Sequence, residues 1–163
     1  MSPQSKSKSS SKGKKEVTFI DLLKQDHDKV RDLLEQIEED EEGENRRELF
    51  AGLQSEVQEH MELEEKFFYP ALEQNEESSD KALESYEEHH VAKMVLGEFS
   101  GVDIEDDRWM AKFKVFQEIV SHHLQEEEKN IFKLVKNVLE PDRIKEITDQ
   151  IRQMKSETEK KAA

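Results

Sequence analysis

"HMELEEKFFYP", residues 60–70, is the stretch on which the fold turns. It sets a histidine and, four positions later, a carboxylate on a stripe that is otherwise apolar. Phe50, Leu53, Val57, His60, Glu64, Phe67 and Ala71 follow one another at spacings of 3, 4, 3, 4, 3 and 4, the period of an amphipathic α-helix. Residues four apart lie one above the other on such a helix, so His60 and Glu64 face one place in the interior. A second copy, "HLQEEEKNIFK", occupies residues 123–133, and both read H-x-x-x-E-E-K before aromatic and aliphatic residues. Its stripe is Trp109, Phe113, Phe116, Val120, His123, Glu127, Ile131, Leu134 and Val138.

Two further helices complete the pattern. Thr18 with Asp21 reads as an N-cap with an acidic partner. The helix it opens runs to about residue 40, with the stripe Ile20, Leu23, His27, Val30, Leu34 and Ile37. Gly43 and Asn45 break the chain, and Pro70 is expected to kink or end the second helix. Ser78, Ser79 or Asp80 caps a third helix that ends near Gly101. The fourth begins around Asp107. Pro141 stops it and opens a short fifth helix over about residues 142–157. The expected fold is all-α: an antiparallel, up-down-up-down four-helix bundle with a short C-terminal fifth helix. Residues 1–16 form a disordered Ser/Lys-rich tail in this division, 17–140 the bundle, and 141–163 the C-terminal helix and tail.

Composition narrows the chemistry. With 163 residues the chain suits one domain with one modest core. There is no cysteine, which excludes disulfides, zinc ribbons and thiolate clusters; any metal must be held by His, Asp, Glu or Tyr. The charge of −15 is unevenly spread. Residues 1–15 hold five Lys and no acid, so residues 16–163 carry 20 Lys and Arg against 40 Asp and Glu, about −20. A domain so acidic repels nucleic acid. The tail lacks an apolar signal region and no apolar run is long enough to span a membrane, so a cytoplasmic location is expected.

The polar residues on the stripes are the candidate site: His27, His60, Glu64, His123 and Glu127. A lone buried carboxylate is costly and tends to go neutral. Two of them facing imidazoles across a bundle call for a counter-charge, and divalent cations supply one. His123 lies on the stripe, whereas His122 shares a face with Lys112, Lys129 and Lys133. Of His89 and His90, the apolar residues Ala92, Val95, Leu96 and Phe99 favour His89, with Tyr86 one turn before it. Imidazole with carboxylate and no sulfur suits iron or manganese, and also zinc. Glu65 and Glu128 are expected at the surface, where an outer role is open to them.

"QDHDKV" around His27, "HMELEEKFFYP", "EEHHVAKMVL" and "HHLQEEEKNIF" resemble, in order and helix by helix, the hemerythrin family in its broad HHE cation-binding branch, over about residues 18–139. The resemblance implies a non-haem di-iron centre in which Glu64, Glu127 and a solvent oxygen bridge two Fe ions. His27, His60, His89 and His123 would then be terminal ligands. The chain departs from the oxygen-carrying hemerythrins in having Ser85 where a second helical histidine is expected, and H-x-x-x-E in place of H-x-x-x-x-D. One coordination position is therefore open, or filled by water, Tyr86 or a nearby Glu. The expected role is binding of O2 or a related small molecule, in sensing of O2, NO or iron, or in storage. An alternative is a di-iron enzyme with peroxidase, catalase-like or ferroxidase activity. A third is a metal-free acidic helical module whose histidines titrate near neutral pH. A ferritin-like site would need Glu-x-x-His pairs, and only Glu87 to His90 has that spacing here.

Overall fold

The computed structural model describes residues 15–163; the expected tail lies, up to residue 14, outside them. Among the described residues there are five long helical segments and no strand. Helix α1 is Phe19–Glu39. Helix α2 begins as Arg46–Leu63, widens into a π turn over Glu64–Phe68 and resumes as Tyr69–Glu73. Helix α3 is Ser79–Glu98, trailed by a 3-10 turn, Phe99–Gly101. Helix α4 runs as Asp107–Glu126, a π turn Glu127–Ile131, and Phe132–Val138. Helix α5 is Pro141–Ala162. No helix among the described residues is long and apolar enough to cross a membrane.

Local chemistry sets these boundaries. Thr18 and Asp21 form the expected capping box, the Thr18 amide donating to Asp21 at 2.9 Å. Asp106 caps α4 by accepting the Arg108 amide at 2.8 Å. Gly43 turns the chain between α1 and α2 at φ +72, a left-handed conformation that glycine adopts without a Cβ penalty. The Ser78 hydroxyl donates to the Leu72 carbonyl at 2.7 Å and closes the turn before α3. Pro70 does not end α2; the backbone widens just ahead of it and the helix continues to Glu73.

The core falls into two apolar halves. One gathers Val30, Leu34, Phe50, Leu53, Val57, Leu96, Trp109, Phe113, Phe116 and Val120. The other gathers Phe19, Leu23, Leu63, Phe68, Leu72, Ala82, Ile131, Phe132, Val135 and Ile147. Along α1 the chain passes from the second half to the first, along α2 from the first to the second, and α3 and α4 repeat the alternation. Each buried aromatic or aliphatic side chain contributes about 1.5–3 kcal/mol, so both halves are well driven. Between them lies a layer of buried polar residues: Asp26, His27, His60, Glu64, His89, His123 and Glu127.

Two expectations need correction. The fifth helix is not short: it has 22 residues, with Ile147 and Ile151 fully buried against the second half of the core. The stripes of α2 and α4 also change register beyond the motif. Phe67, Leu134 and Val138 are only partly buried, while Phe68, Tyr69, Phe132 and Val135 are buried. The cause is the π turn in each helix. One extra residue in a turn rotates everything downstream, so a fixed 3.6-residue count loses the buried face.

Candidate metal centre

Glu64 and Glu127 are each the first residue of a π turn. In both turns the amide five positions along the chain, Tyr69 or Phe132, bonds back to the carbonyl of that glutamate. Such turns concentrate at functional sites because they aim side chains that a regular helix would place elsewhere. Here the result is a closed polar layer in which every sequence-expected member except Tyr86 and His90 meets.

The layer divides into two groups of buried donors. His27, His60, Glu64 and Glu127 form one, Glu64, His89 and His123 the other, each able to bring one ligand atom per residue within 4.8 Å of the rest. Glu64 belongs to both. Its Oε1 lies 3.2 Å from His60 Nε2, and its Oε2 lies 3.2 Å from His89 Nε2 and 3.9 Å from His123 Nε2. Glu127 Oε2 lies 3.2 Å from His27 Nε2, 3.9 Å from His60 Nε2 and 3.7 Å from His123 Nε2. The Nε2 atoms also meet in pairs, His27 with His60 at 3.1 Å and His89 with His123 at 2.9 Å.

The opposite ring nitrogens face carboxylates. His27 Nδ1 is 2.8 Å from Glu128, His89 Nδ1 is 2.9 Å from Glu65, and His123 Nδ1 is 2.6 Å from Glu88. His60 Nδ1 faces Asp26 at 3.6 Å. At His27, His89 and His123 the carboxylate is close enough to hold the proton on Nδ1 and leave the Nε2 lone pair directed inward; at His60 it is not. Behind these carboxylates stand further positive groups: Arg31 on Glu128 at 2.9 Å, Lys93 on Glu65 at 2.5 Å, Lys155 on Asp26 at 2.6 Å, and the exposed His122 near Glu88 at 3.6 Å. Glu65 and Glu128 are therefore partly buried orienting groups rather than plain surface acids.

Electrostatics reflect the crowding. Burial works against a charge on Glu64 and Glu127, and the Glu64 charge adds to that on Glu127. The surrounding imidazoles outweigh both and hold each carboxyl below its ordinary value. Burial opposes protonation of His60, but the Glu64 charge and the carboxylates around it raise it well above the usual imidazole range. The same balance, with Glu127 foremost, pushes His123 up to about 10. Even so, Glu64 Oε1 and Glu127 Oε2 are buried without a hydrogen-bond donor. Buried acceptors are rarely left so. Convergent lone pairs without donors are what a cation site presents before its ion, and this donor set fits a pair of divalent cations.

Asp26, Glu88 and Lys155 behind the histidines escaped sequence reasoning, and so did a residue at the centre itself. Tyr69 is fully buried, and its hydroxyl donates to Glu127 Oε1 at 2.7 Å. Glu64 Oε2, His89 Nε2 and His123 Nε2 lie 3.1, 3.2 and 3.4 Å from the same oxygen. Burial, then the Glu127 and Glu64 charges, raise its phenol well above the ordinary value. Tyr86, the expected candidate, is half-buried; its ring packs on Tyr69 at 5.3 Å and its hydroxyl reaches Glu73 at 3.4 Å, away from the centre. His90 is exposed. The signal for Tyr69 was Pro70, which marks where the helix departs from regular geometry. Beside the imidazoles lies an apolar cavity of about 10 Å³, lined by Val30, Val57, Met61, Ala92, Val120 and Leu124 with His60, His89 and His123.

A model of the hemerythrin HHE cation binding domain matches residues 18–135. A DNA nickase of Nostoc sp. (strain PCC 7120 / SAG 25.82 / UTEX 2576) is 21% identical over 148 residues, which cover 91% of this chain and 42% of the nickase. The chain thus spans less than half the length of that relative. The crystal structure of a hemerythrin HHE cation binding domain-containing protein from Mycobacterium kansasii matches with a TM-score of 0.77 at 20% identity, over 87% of each chain. At that identity the likeness bears on the fold.

Proposed function

Since the chain belongs to the hemerythrin HHE cation-binding domain family, we propose that it is a non-haem di-iron protein that binds O2 or a related small molecule. The observation that carries this is the double membership of Glu64, a buried carboxylate shared by two groups of buried donors. His27, His60 and Glu127 would hold one ion and His89 and His123 the other, with Glu64 available to both. Tyr69 fills the position for which the histidine at residue 85 is lacking, since its oxygen lies against both His89 and His123. The proposed frame is an antiparallel up-down-up-down four-helix bundle, supported by the alternating order in which α1 to α4 cross the two halves of the core.

Bound iron supplies the redox chemistry toward O2, NO or peroxide. The chain's own contribution is fourfold. Imidazole and carboxylate orient the ions, and outer carboxylates fix the tautomers. The Tyr69 hydroxyl places a proton between Glu64 and Glu127. The apolar cavity admits nothing larger than a few atoms, which favours diatomics and peroxide over organic substrates. Zinc or manganese fits the same donor set.

A turnover reading has one observation in its favour: a phenolic proton within reach of the donor set suits peroxide chemistry. Steady-state consumption of peroxide or of ferrous iron separates an enzyme from a binder. The nickase's action on DNA is not carried over, because residues 16–163 bear 20 basic against 40 acidic side chains and repel a phosphate backbone. The test is anaerobic ferrous loading followed by elemental analysis, Mössbauer spectra, and absorption spectra on exposure to O2 and NO. A pair of coupled irons whose spectrum responds to either gas is expected. Failure to retain a pair of irons sinks the proposal.

A further inference from the structure

The four imidazoles of the centre are not held alike. The Nδ1 atoms of His27, His89 and His123 lie 2.8, 2.9 and 2.6 Å from their carboxylates. His60 Nδ1 has no hydrogen-bond partner, and Asp26 stays 3.6 Å away. Lys155 Nζ donates to Asp26 Oδ1 at 2.6 Å and to Asp26 Oδ2 at 2.8 Å, so both oxygens of a carboxylate only 2% exposed are engaged by one ammonium.

Lys155 lies on α5, beyond the residues 18–135 that match the family. Its place there is specific. Ile147 and Ile151 are fully buried, and Lys155 is the next position on that face at the same four-residue spacing. Its stem runs along the core and its amine turns onto Asp26, leaving the side chain 20% exposed. The helix is tied to α1 close by: the Phe19 amide donates to Thr148 Oγ1 at 2.9 Å, and Arg152 donates to the Val17 carbonyl at 3.1 Å. A buried carboxylate deprived of its cation is disfavoured, so the Lys155 contact adds to the docking of α5.

We propose that Lys155 is a positioning residue for the metal centre: by gripping Asp26 it holds that carboxylate off His60, and so couples docking of the fifth helix to the ion on the His27 and His60 side. The inference rests on the di-metal reading. A carboxylate that takes the Nδ1 proton of a ligating histidine strengthens and orients it as a donor. His27, His89 and His123 receive that help. His60 has it withheld, which makes it the ligand that lets go first and α5 the element that governs its release.

The test uses the full chain with Lys155→Met, which keeps the stem and removes the charge, and Lys155→Gln as a second variant should the first not fold. Lys155→Arg restores the charge. Each is loaded with Zn²⁺ and stripped by a chelator, and the imidazole N–H resonances are followed in the metal-free protein. In the neutral variants Asp26 turns to His60. One of the two zinc ions then leaves about tenfold more slowly, the other leaves at the wild-type rate, and the His60 resonance alone moves; Lys155→Arg reverts both changes. Unchanged or faster release with an unmoved His60 resonance in a folded variant overturns the proposal. If the wild type takes up no zinc, the di-metal reading falls and the ion coupling with it. A shifted His60 resonance would then still establish the link from Lys155 through Asp26, and an unmoved one would refute it.

Discussion

Tyr69 and Glu127, 58 residues apart, meet at 2.7 Å in the centre of the molecule, one at the exit of the first π turn and the other at the entry of the second. The contact exists because both helices widen at the same level. It sets a phenol beside the donor set from which the family resemblance implies that one imidazole is missing.

Replacing that phenol gives the first prediction. Tyr69→Phe leaves Glu127 Oε1 without its donor in a fully buried place, and an unmet buried group costs about 1–3 kcal/mol. Denaturant unfolding of the metal-free protein should show a loss of that size. The iron-loaded variant should have an altered visible spectrum, and a spectrum identical to wild type removes Tyr69 from the ligand set.

The two carboxylates should differ in what they forfeit. Glu64 serves both donor groups and Glu127 one, so Glu64→Gln should abolish retention of both ions while Glu127→Gln keeps one, on the His89 and His123 side. Elemental analysis after desalting reads this directly. Equal loss in the two variants contradicts the assignment of Glu64 as the shared ligand.

Protons and metals should compete. His123 is raised from 6.5 to about 10 in the metal-free fold. A raised value means that its contribution to stability is fully present below about pH 6.5 and is lost as pH rises through about 10. The metal-free protein should therefore lose thermal stability across that alkaline interval. Glu64 and Glu127 are depressed, so their contribution is present above 4.5 and lost as pH falls through the folded values. Binding of Zn²⁺ at pH 8 must expel the protons on His60 and His123, giving a calorimetric enthalpy that depends on the buffer's ionisation enthalpy. A buffer-independent enthalpy would count against protonated histidines.

The register shift is open to a stability comparison. Phe68→Ala should cost about 3–5 kcal/mol, because Phe68 is fully buried and packs on Phe19 and Phe132. Phe67→Ala, at a half-buried position, should cost far less. The reverse order, with Phe67→Ala the costlier, would place the helix back in unbroken α-helical register.

Much of this was legible along the chain. The 3-and-4 spacing of apolar residues announces each helix, Thr18 and Gly43 announce where α1 begins and is followed by a turn, and His60, Glu64, His123 and Glu127 stand out because polar groups sit where the period requires hydrocarbon. Asp26 and Lys155 break their stripes in the same way, yet neither break can be read alone, since each makes sense only beside the other.

What the sequence determined by itself is therefore the set of periodic, local features: the helices, three imidazoles and two glutamates on the inward stripes, a preference for His89 over His90, and with them the family. Tertiary structure alone decided which groups complete the centre. Tyr69 enters because two π turns displace the downstream faces by one residue, and Lys155 reaches Asp26 because a fifth helix docks 129 residues away. Periodicity reports the side of a helix only while the turn stays regular, and contacts between distant segments depend on packing that no local spacing encodes.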